Sequence, residues 1–173
     1  KARALVELLD KPMVASSPSI VFTCYSGVAK RAAEILKSEL EENRPVFLIT
    51  GATTRKARLS ILDEASKTRN GVIVSTGAMS MGVEIKFARS AIHIDMPWTP
   101  AQMDQRTDRI HRIGALGTGR VFRLICPNSV DTKKLGIHKK KRTAAENALA
   151  ASSPFKRKDS SKNRELAGES FIF

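Results

Sequence analysis

Nowhere in the 173 residues does Gly-x-x-x-x-Gly-Lys-Ser/Thr occur. The chain therefore lacks the glycine-rich loop that cradles nucleotide phosphates ahead of a helix. Cysteine is scarce. Cys24 and Cys126 stand far apart, each at the end of an apolar run. That excludes a disulfide framework and reads as two buried, reduced thiols in an intracellular protein. His93, His111 and His138 form no local cluster with metal-ligand spacing, so no metal site is expected. No apolar run approaches a membrane span and the N-terminus has no signal-peptide pattern, so no membrane contact is expected. Internal repeats are missing too. The first residue is Lys rather than Met, as expected of a fragment or a processed chain.

What the chain has in plenty is positive charge. Its formal net charge is +13, of which residues 138–173, with nine Lys/Arg against four Asp/Glu, carry only part. The body is basic without its tail, and a polyanion, most simply nucleic acid, is the economical partner; a basic surface with no specific partner is the alternative. A hydrophobic content of 42% fits a packed domain rather than a disordered chain.

The apolar pattern predicts alternating elements. Residues 1–10 form a short helix with Leu5, Leu8 and Leu9 inward, and Pro12 with Ser16-Ser-Pro18 marks a loop. Buried strands are predicted at 19–24, 46–49, 71–76, 91–95 and 120–125 from their β-branched and aromatic content. Helices are predicted at 28–40, from about Thr54 to Ser66, at 102–114 and at 130–150, with Thr53 or Thr54 capping the second. Strand and helix alternate without a tight-hairpin signal. The expected fold is therefore α/β: a mainly parallel sheet of five to six strands with helices on both faces. In such sheets ligands gather beyond the carboxyl ends of the strands, where Tyr25-Ser26-Gly27, Gly51–Thr53, Thr76-Gly77 and Asp95 fall. After Ala150 the pattern stops, and residues 151–173 read as a flexible basic tail.

Within the helix 102–114, Met103, Thr107, Ile110 and Gly114 share a packing face, while Gln105, Arg109 and Arg112 line up on another. A solvated charged face is the ordinary reading of two such arginines. The flanking residues favour another. Asp95-Met-Pro-Trp-Thr-Pro100 followed by Gln105-Arg-Thr-Asp-Arg-Ile-His-Arg-Ile-Gly114 resembles the last helicase motif of superfamily 2 helicases and translocases, nearest the SWI/SNF type. The resemblance covers about residues 19–150. It implies a three-layer, RecA-like C-terminal helicase lobe over residues 1–150, belonging to an ATP-dependent DNA helicase or translocase.

The resemblance also implies roles. Arg109 and Arg112 would be arginine fingers, reaching ATP and Mg²⁺ held mainly by an N-terminal lobe of the same protein, which this chain lacks. Planar guanidiniums suit that task because they grip two phosphoryl oxygens and never lose their charge. Gln105 would register the two lobes. Ser75-Thr-Gly-Ala-Met-Ser-Met-Gly-Val-Glu-Ile85 is similar to the preceding motif, with Thr76 toward the nucleic-acid backbone and Gly82 and Glu84 toward the nucleotide sugar. It departs from the SWI/SNF pattern at Met79 and Ser80, where glycines are usual, and at Glu84, where Asn is usual; the last motif departs at Ala115, where Gln usually follows His-Arg-Ile-Gly. Ser26 and Thr53 would touch DNA phosphates at helix N-termini; taken alone, each is a cap or turn residue. The contacts would be to the DNA backbone, without sequence preference.

Leu62-Asp-Glu-Ala-Ser66 imitates an acidic Mg²⁺ box but falls inside a predicted helix and has no phosphate loop upstream, so it is rejected. Trp98, close to Pro97 and Pro100, either stacks on a base or, more commonly, anchors a loop on the core. His111 reads as a packing residue. Two rival readings are a catalytically silent basic nucleic-acid-binding module of the same fold, and a protein-interaction lobe that uses its tail.

Overall fold

The structure, a computed structural model, describes residues 1–77, 85–108, 119–152 and 168–172. It opens with helices α1 (Ala2–Leu9) and α2 (Pro12–Ala15). Strand β1 (Ser19–Phe22), helix α3 (Ser26–Glu39), strand β2 (Val46–Ile49), helix α4 (Arg55–Ser66) and strand β3 (Val72–Ser75) follow. Strand β4 (Ser90–His93), helix α5 (Pro100–Thr107), strand β5 (Arg120–Ile125), helix α6 (Val130–Ser152) and strand β6 (Gly168–Ile172) complete the order. The strands form one sheet in the order β2-β3-β1-β4-β5-β6, and every pairing is parallel.

All four residues of β1, β3 and β4 are buried, as expected of strands covered on both faces. Alternate side chains feed two cores. Val21, Val74, Ile92, Phe122 and Leu124 pack with Leu5, Leu8 and Leu9 of α1 and with Ala29, Ala33 and Leu36 of α3. On the other face Ile20, Phe22, Ile73, Ala91 and Val121 pack with Leu62 and Ala65 of α4 and with Ile85 and Ala88. The period-two alternation of the strands and the one-sided apolar stripes of the helices thus give three layers. Thr54 begins α4 as anticipated, its hydroxyl oxygen accepting from the Ala57 N–H at 3.3 Å.

The structure departs from three of these sequence expectations. Pro12 opens a short helix rather than a loop. At a first helical position its missing N–H costs nothing. The stretch expected to be a flexible tail contains β6, which continues the sheet beyond β5, so that expectation fails for Gly168–Ile172. Cys24 is only partly buried and Cys126 is exposed, because both lie past the strand ends rather than inside them. Of the helix expected at 102–114, Pro100–Thr107 is described as α5, and the remainder lies outside the described residues. Other element ends shift by one or two residues.

Candidate functional site

Because β2, β3, β1 and β4 are neighbours and parallel, the segments leaving their carboxyl ends share one edge of the sheet. Asp95, just past β4, binds the segment just past β1. Its carboxylate accepts from the buried Thr23 hydroxyl and, at 2.7 Å, from the Cys24 N–H. Thr23 Oγ1 in turn accepts from the Tyr25 N–H at 3.3 Å. One carboxylate therefore sets the path of the chain into α3. Burial first, and then the Asp95 carboxylate beside it, push the Cys24 thiol above its usual pKa, and Arg106 offsets this only in part.

Helix α5 is fastened to the same place. Met103, Arg106 and Thr107 are buried, while Gln105 is exposed. The Arg106 guanidinium, only 6% exposed, donates through Nη2 to Thr23 O at 3.4 Å and to Cys24 Sγ at 3.6 Å. It also lies 5.7 Å from the centre of the Phe22 ring. Its Nη1 is buried with no hydrogen-bond partner among the described residues. Sequence reading missed Arg106. The available signal was an arginine three residues after Met103 and one before Thr107, on the face assigned to packing.

Phe22 also stacks on His93, the last residue of β4, with ring centres 5.4 Å apart. Neither ring nitrogen of His93 has a partner among the described residues. Burial, then the positive charges of Arg106 and Arg123, lower its pKa to about 3, so the imidazole is neutral at physiological pH. It is a buried aromatic spacer rather than a proton carrier.

The sequence-derived site residues fall as follows. Ser26 is the exposed first residue of α3, and no side chain caps that helix end. Thr53 is half-buried, and its hydroxyl oxygen accepts from the Thr50 N–H at 3.0 Å, closing the turn after β2. Thr76 is buried just past β3, its N–H donating to Ile49 O at 3.1 Å. These three follow neighbouring strands, so the fold brings them to one edge, with Gln105 on the helix docked beside β1. Gly82, Glu84, Arg109 and Arg112 lie outside the described residues. Asp63 and Glu64 sit in α4, and Asp63 pairs with Lys67 at 2.7 Å, in keeping with the rejection of that acidic box. Among the described residues, no group of three His, Cys, Asp or Glu side chains could hold a metal ion.

Trp98 does not anchor its loop on the core: it is 55% exposed. Lys134 of α6 lies 4.7 Å over its ring and donates to Met96 O at 2.7 Å. His138 Nε2 donates to Pro97 O at 2.9 Å, and Arg142 pairs with Asp104 of α5. The loop is thus held by α6 through its backbone carbonyls, which leaves the indole outward. Tyr25 is equally exposed at the end of the neighbouring strand. Beside it a groove of about 440 Å³ opens between α1 and α3, with mainly apolar walls that include Leu5, Val28 and Ile35. Its charged lining residues are Lys1, Arg31 and Asp95.

Comparison with known proteins places this geometry. Residues 1–114 match the model of the helicase conserved C-terminal domain. The DNA repair protein RAD5 of Candida albicans is 33% identical over 162 residues, covering 87% of this chain and 14% of that protein. An uncharacterized ATP-dependent helicase of Mycoplasma pneumoniae is 27% identical over 151 residues, covering 86% of this chain and again 14% of that protein. The chain thus spans about a seventh of these relatives. Among solved structures, the C-terminal part of the Fun30 ATPase domain superposes with a TM-score of 0.71 at 20% identity, covering 78% of this chain and 44% of that one. Domain 2 of the DEAD-box helicase Mss116p, bound to an RNA duplex, gives 0.65 at 23% identity, covering 73% of this chain and 50% of that one.

Proposed function

The chain belongs to the helicase conserved C-terminal domain family, and from that premise we propose that it is the C-terminal motor lobe of an ATP-dependent DNA helicase or translocase of the SWI/SNF type. The observation that carries the reading is the docking of α5. Met103, Arg106 and Thr107 turn inward and Gln105 outward, at the edge that also holds Ser26, Thr53 and Thr76. Arg109 and Arg112 continue the Gln105 spacing in sequence, so on a continued helix they would share its outward face.

In this reading Arg109 and Arg112 stabilise the charge that spreads over the transferred phosphoryl group, and Gln105 aligns the two lobes. ATP supplies that group when bound, with Mg²⁺ held mainly by an N-terminal lobe of the same protein. Gly82 and Glu84 face the nucleotide sugar. Ser26, Thr53 and Thr76 contact the DNA backbone and read no base. Arg106 and Asp95 keep the fingers' helix and the strand-end loops in register. Closure of the two lobes around ATP, alternating with opening, shifts the DNA contacts. The exposed Cys126, kept as a thiol, suits a reducing intracellular compartment.

The test is DNA-stimulated ATP turnover of the full two-lobed protein carrying Arg109→Lys or Arg112→Lys. Lysine keeps the charge and loses the fork. Turnover is expected to drop by roughly a hundredfold or more, at an unchanged melting temperature. Full activity in both variants removes the finger assignment and leaves a silent nucleic-acid-binding lobe. The isolated chain should hydrolyse no ATP. Its DNA affinity should fall steeply with salt. Replacing Lys156, Arg157 and Lys158 with Ala should flatten that dependence, by roughly 0.9 in log–log slope for each phosphate no longer neutralised.

A further inference from the structure

At the opposite, amino-terminal edge of the sheet lies a recess of about 360 Å³ that the reading above does not use. Three arginines line it: Arg69, in the loop from α4 to β3; Arg89, one residue before β4; and Arg120, the first residue of β5. Ser17, just ahead of β1, and Thr68 add hydroxyls, and the half-buried Phe87 adds an apolar wall. Among the described residues that line it there is no carboxylate.

The fold assembles this cluster from four strand starts that are adjacent in the sheet but distant in sequence. The Arg89 N–H donates to Pro18 O at 3.0 Å and the Arg120 N–H to Arg89 O at 2.7 Å. Ser19 pairs in register with both Val72 and Ser90, and Ser90 with Arg120. The backbone positions of Arg89 and Arg120 are therefore set by the sheet itself, and Arg69 joins them from the loop that precedes β3. Arg120 donates one N–H to Met13 O at 3.1 Å. Among the described residues, the guanidiniums of Arg69 and Arg89 make no side-chain hydrogen bond or ion pair.

We propose that this recess binds a phosphate monoester, either a phosphorylated side chain of a protein segment or a free small phosphate. Guanidiniums match phosphate oxygens bidentately, and arginine clusters of this kind recognise phosphorylated segments. A compact dianion answers three positive charges around one cavity. The concave shape favours a single projecting group over duplex DNA, whose phosphates lie flush on a rod and would reach the rim rather than the floor. The proposal concerns the far edge of the sheet and stands or falls separately from the ATP reading.

A competing explanation is local. Helices α2 and α4 end at this edge, and their carbonyl ends attract cations with no ligand present. The experiment separates the two. Inorganic phosphate, a phosphoserine peptide and its unphosphorylated counterpart are titrated into the ¹⁵N-labelled full chain, with the arginine Nε–H resonances as readout. Both phosphate probes are expected to shift Arg69, Arg89 and Arg120 saturably, the unphosphorylated peptide to shift none, and Arg31 at the far edge to stay still. Arg69→Ala and Arg89→Ala should each weaken binding by roughly tenfold or more at an unchanged melting temperature, the effect of removing a charge-assisted hydrogen bond. Tighter binding of the phosphopeptide than of free phosphate supports a protein segment as the source, and equal binding supports a small ligand. Unsaturable shifts spread over all surface arginines overturn the site. So does displacement of the phosphopeptide by duplex DNA at equal affinity, which would make the recess part of a nucleic-acid surface. Melting temperatures that fall in the variants, with no phosphate-induced shift, leave the arginines as helix-end counter-charges only.

Discussion

The two ends of the sheet are both polar, but their polar groups are differently engaged. At the carboxyl edge Asp95 accepts from Thr23 and Cys24, Thr53 closes its own turn, and Arg106 is buried against Thr23, Cys24 and Phe22. Those groups set the positions of loops and of α5. At the amino edge Arg69 and Arg89 face a recess without pairing to any described residue, and Arg120 uses one nitrogen on Met13 O. Polar side chains consumed within the fold position a site. Polar side chains whose backbone is fixed but whose charge is unpaired are available to a ligand. Arg106, which sequence reading passed over, is therefore the arginine that fixes the carboxyl edge, as the equally buried Arg44, donating to Leu9 O and Asn70 O, does ahead of β2.

Substitutions can break or sharpen this contrast. Asp95→Ala strips acceptors from Thr23 and from the Cys24 N–H, and should cost about 2–3 kcal/mol in urea unfolding. A cost near zero would show that the Asp95 bonds do not hold the edge together. His93 gives a pH signature. Its folded pKa of about 3 lies below the unfolded value, so between the two the unfolded chain binds the extra proton. Stability therefore rises with pH through that window and is lost as pH falls from about 6.5, with a slope approaching about 1.4 kcal/mol per pH unit from this residue. Thermal melts from pH 7 down should show a shallower loss in His93→Phe, and an identical slope would place the acid sensitivity elsewhere. Thr54→Ala removes the cap of α4 and should cost about 1 kcal/mol by chemical denaturation. Arg89→Ala, at the other edge, should stay within about 0.5 kcal/mol of the unsubstituted chain in the same assay. If it costs as much as Asp95→Ala, the amino-edge arginines are structural and the contrast between the edges fails.

Much of the fold was legible because its signals are local. Four-residue runs such as Val72–Ser75 and the stripe Leu5, Leu8, Leu9 announce their element within a few residues. The motif from Asp95 to Gly114 could be read from its fixed frame. The strand at Gly168–Ile172 could not be anticipated, because five residues after a polar stretch become a strand only where β5 offers an open edge. The outward indole of Trp98 was equally hidden, since its loop is held by Lys134 and His138 from a helix far along the chain.

By itself, then, the amino-acid sequence determined the alternation of strands and helices, the parallel α/β class, the family and the basic character. Each of these depends on residue types at short spacing. Tertiary structure alone decided the Asp95–Thr23 clasp, across 72 positions, and the Arg106–Thr23 contact, across 83. It also decided the gathering of Arg69, Arg89 and Arg120 around one recess. The reason is that strand order, not chain order, sets which ends are neighbours. In β2-β3-β1-β4-β5 the starts and ends of distant segments are brought side by side, and no local pattern records which polar side chains will meet there.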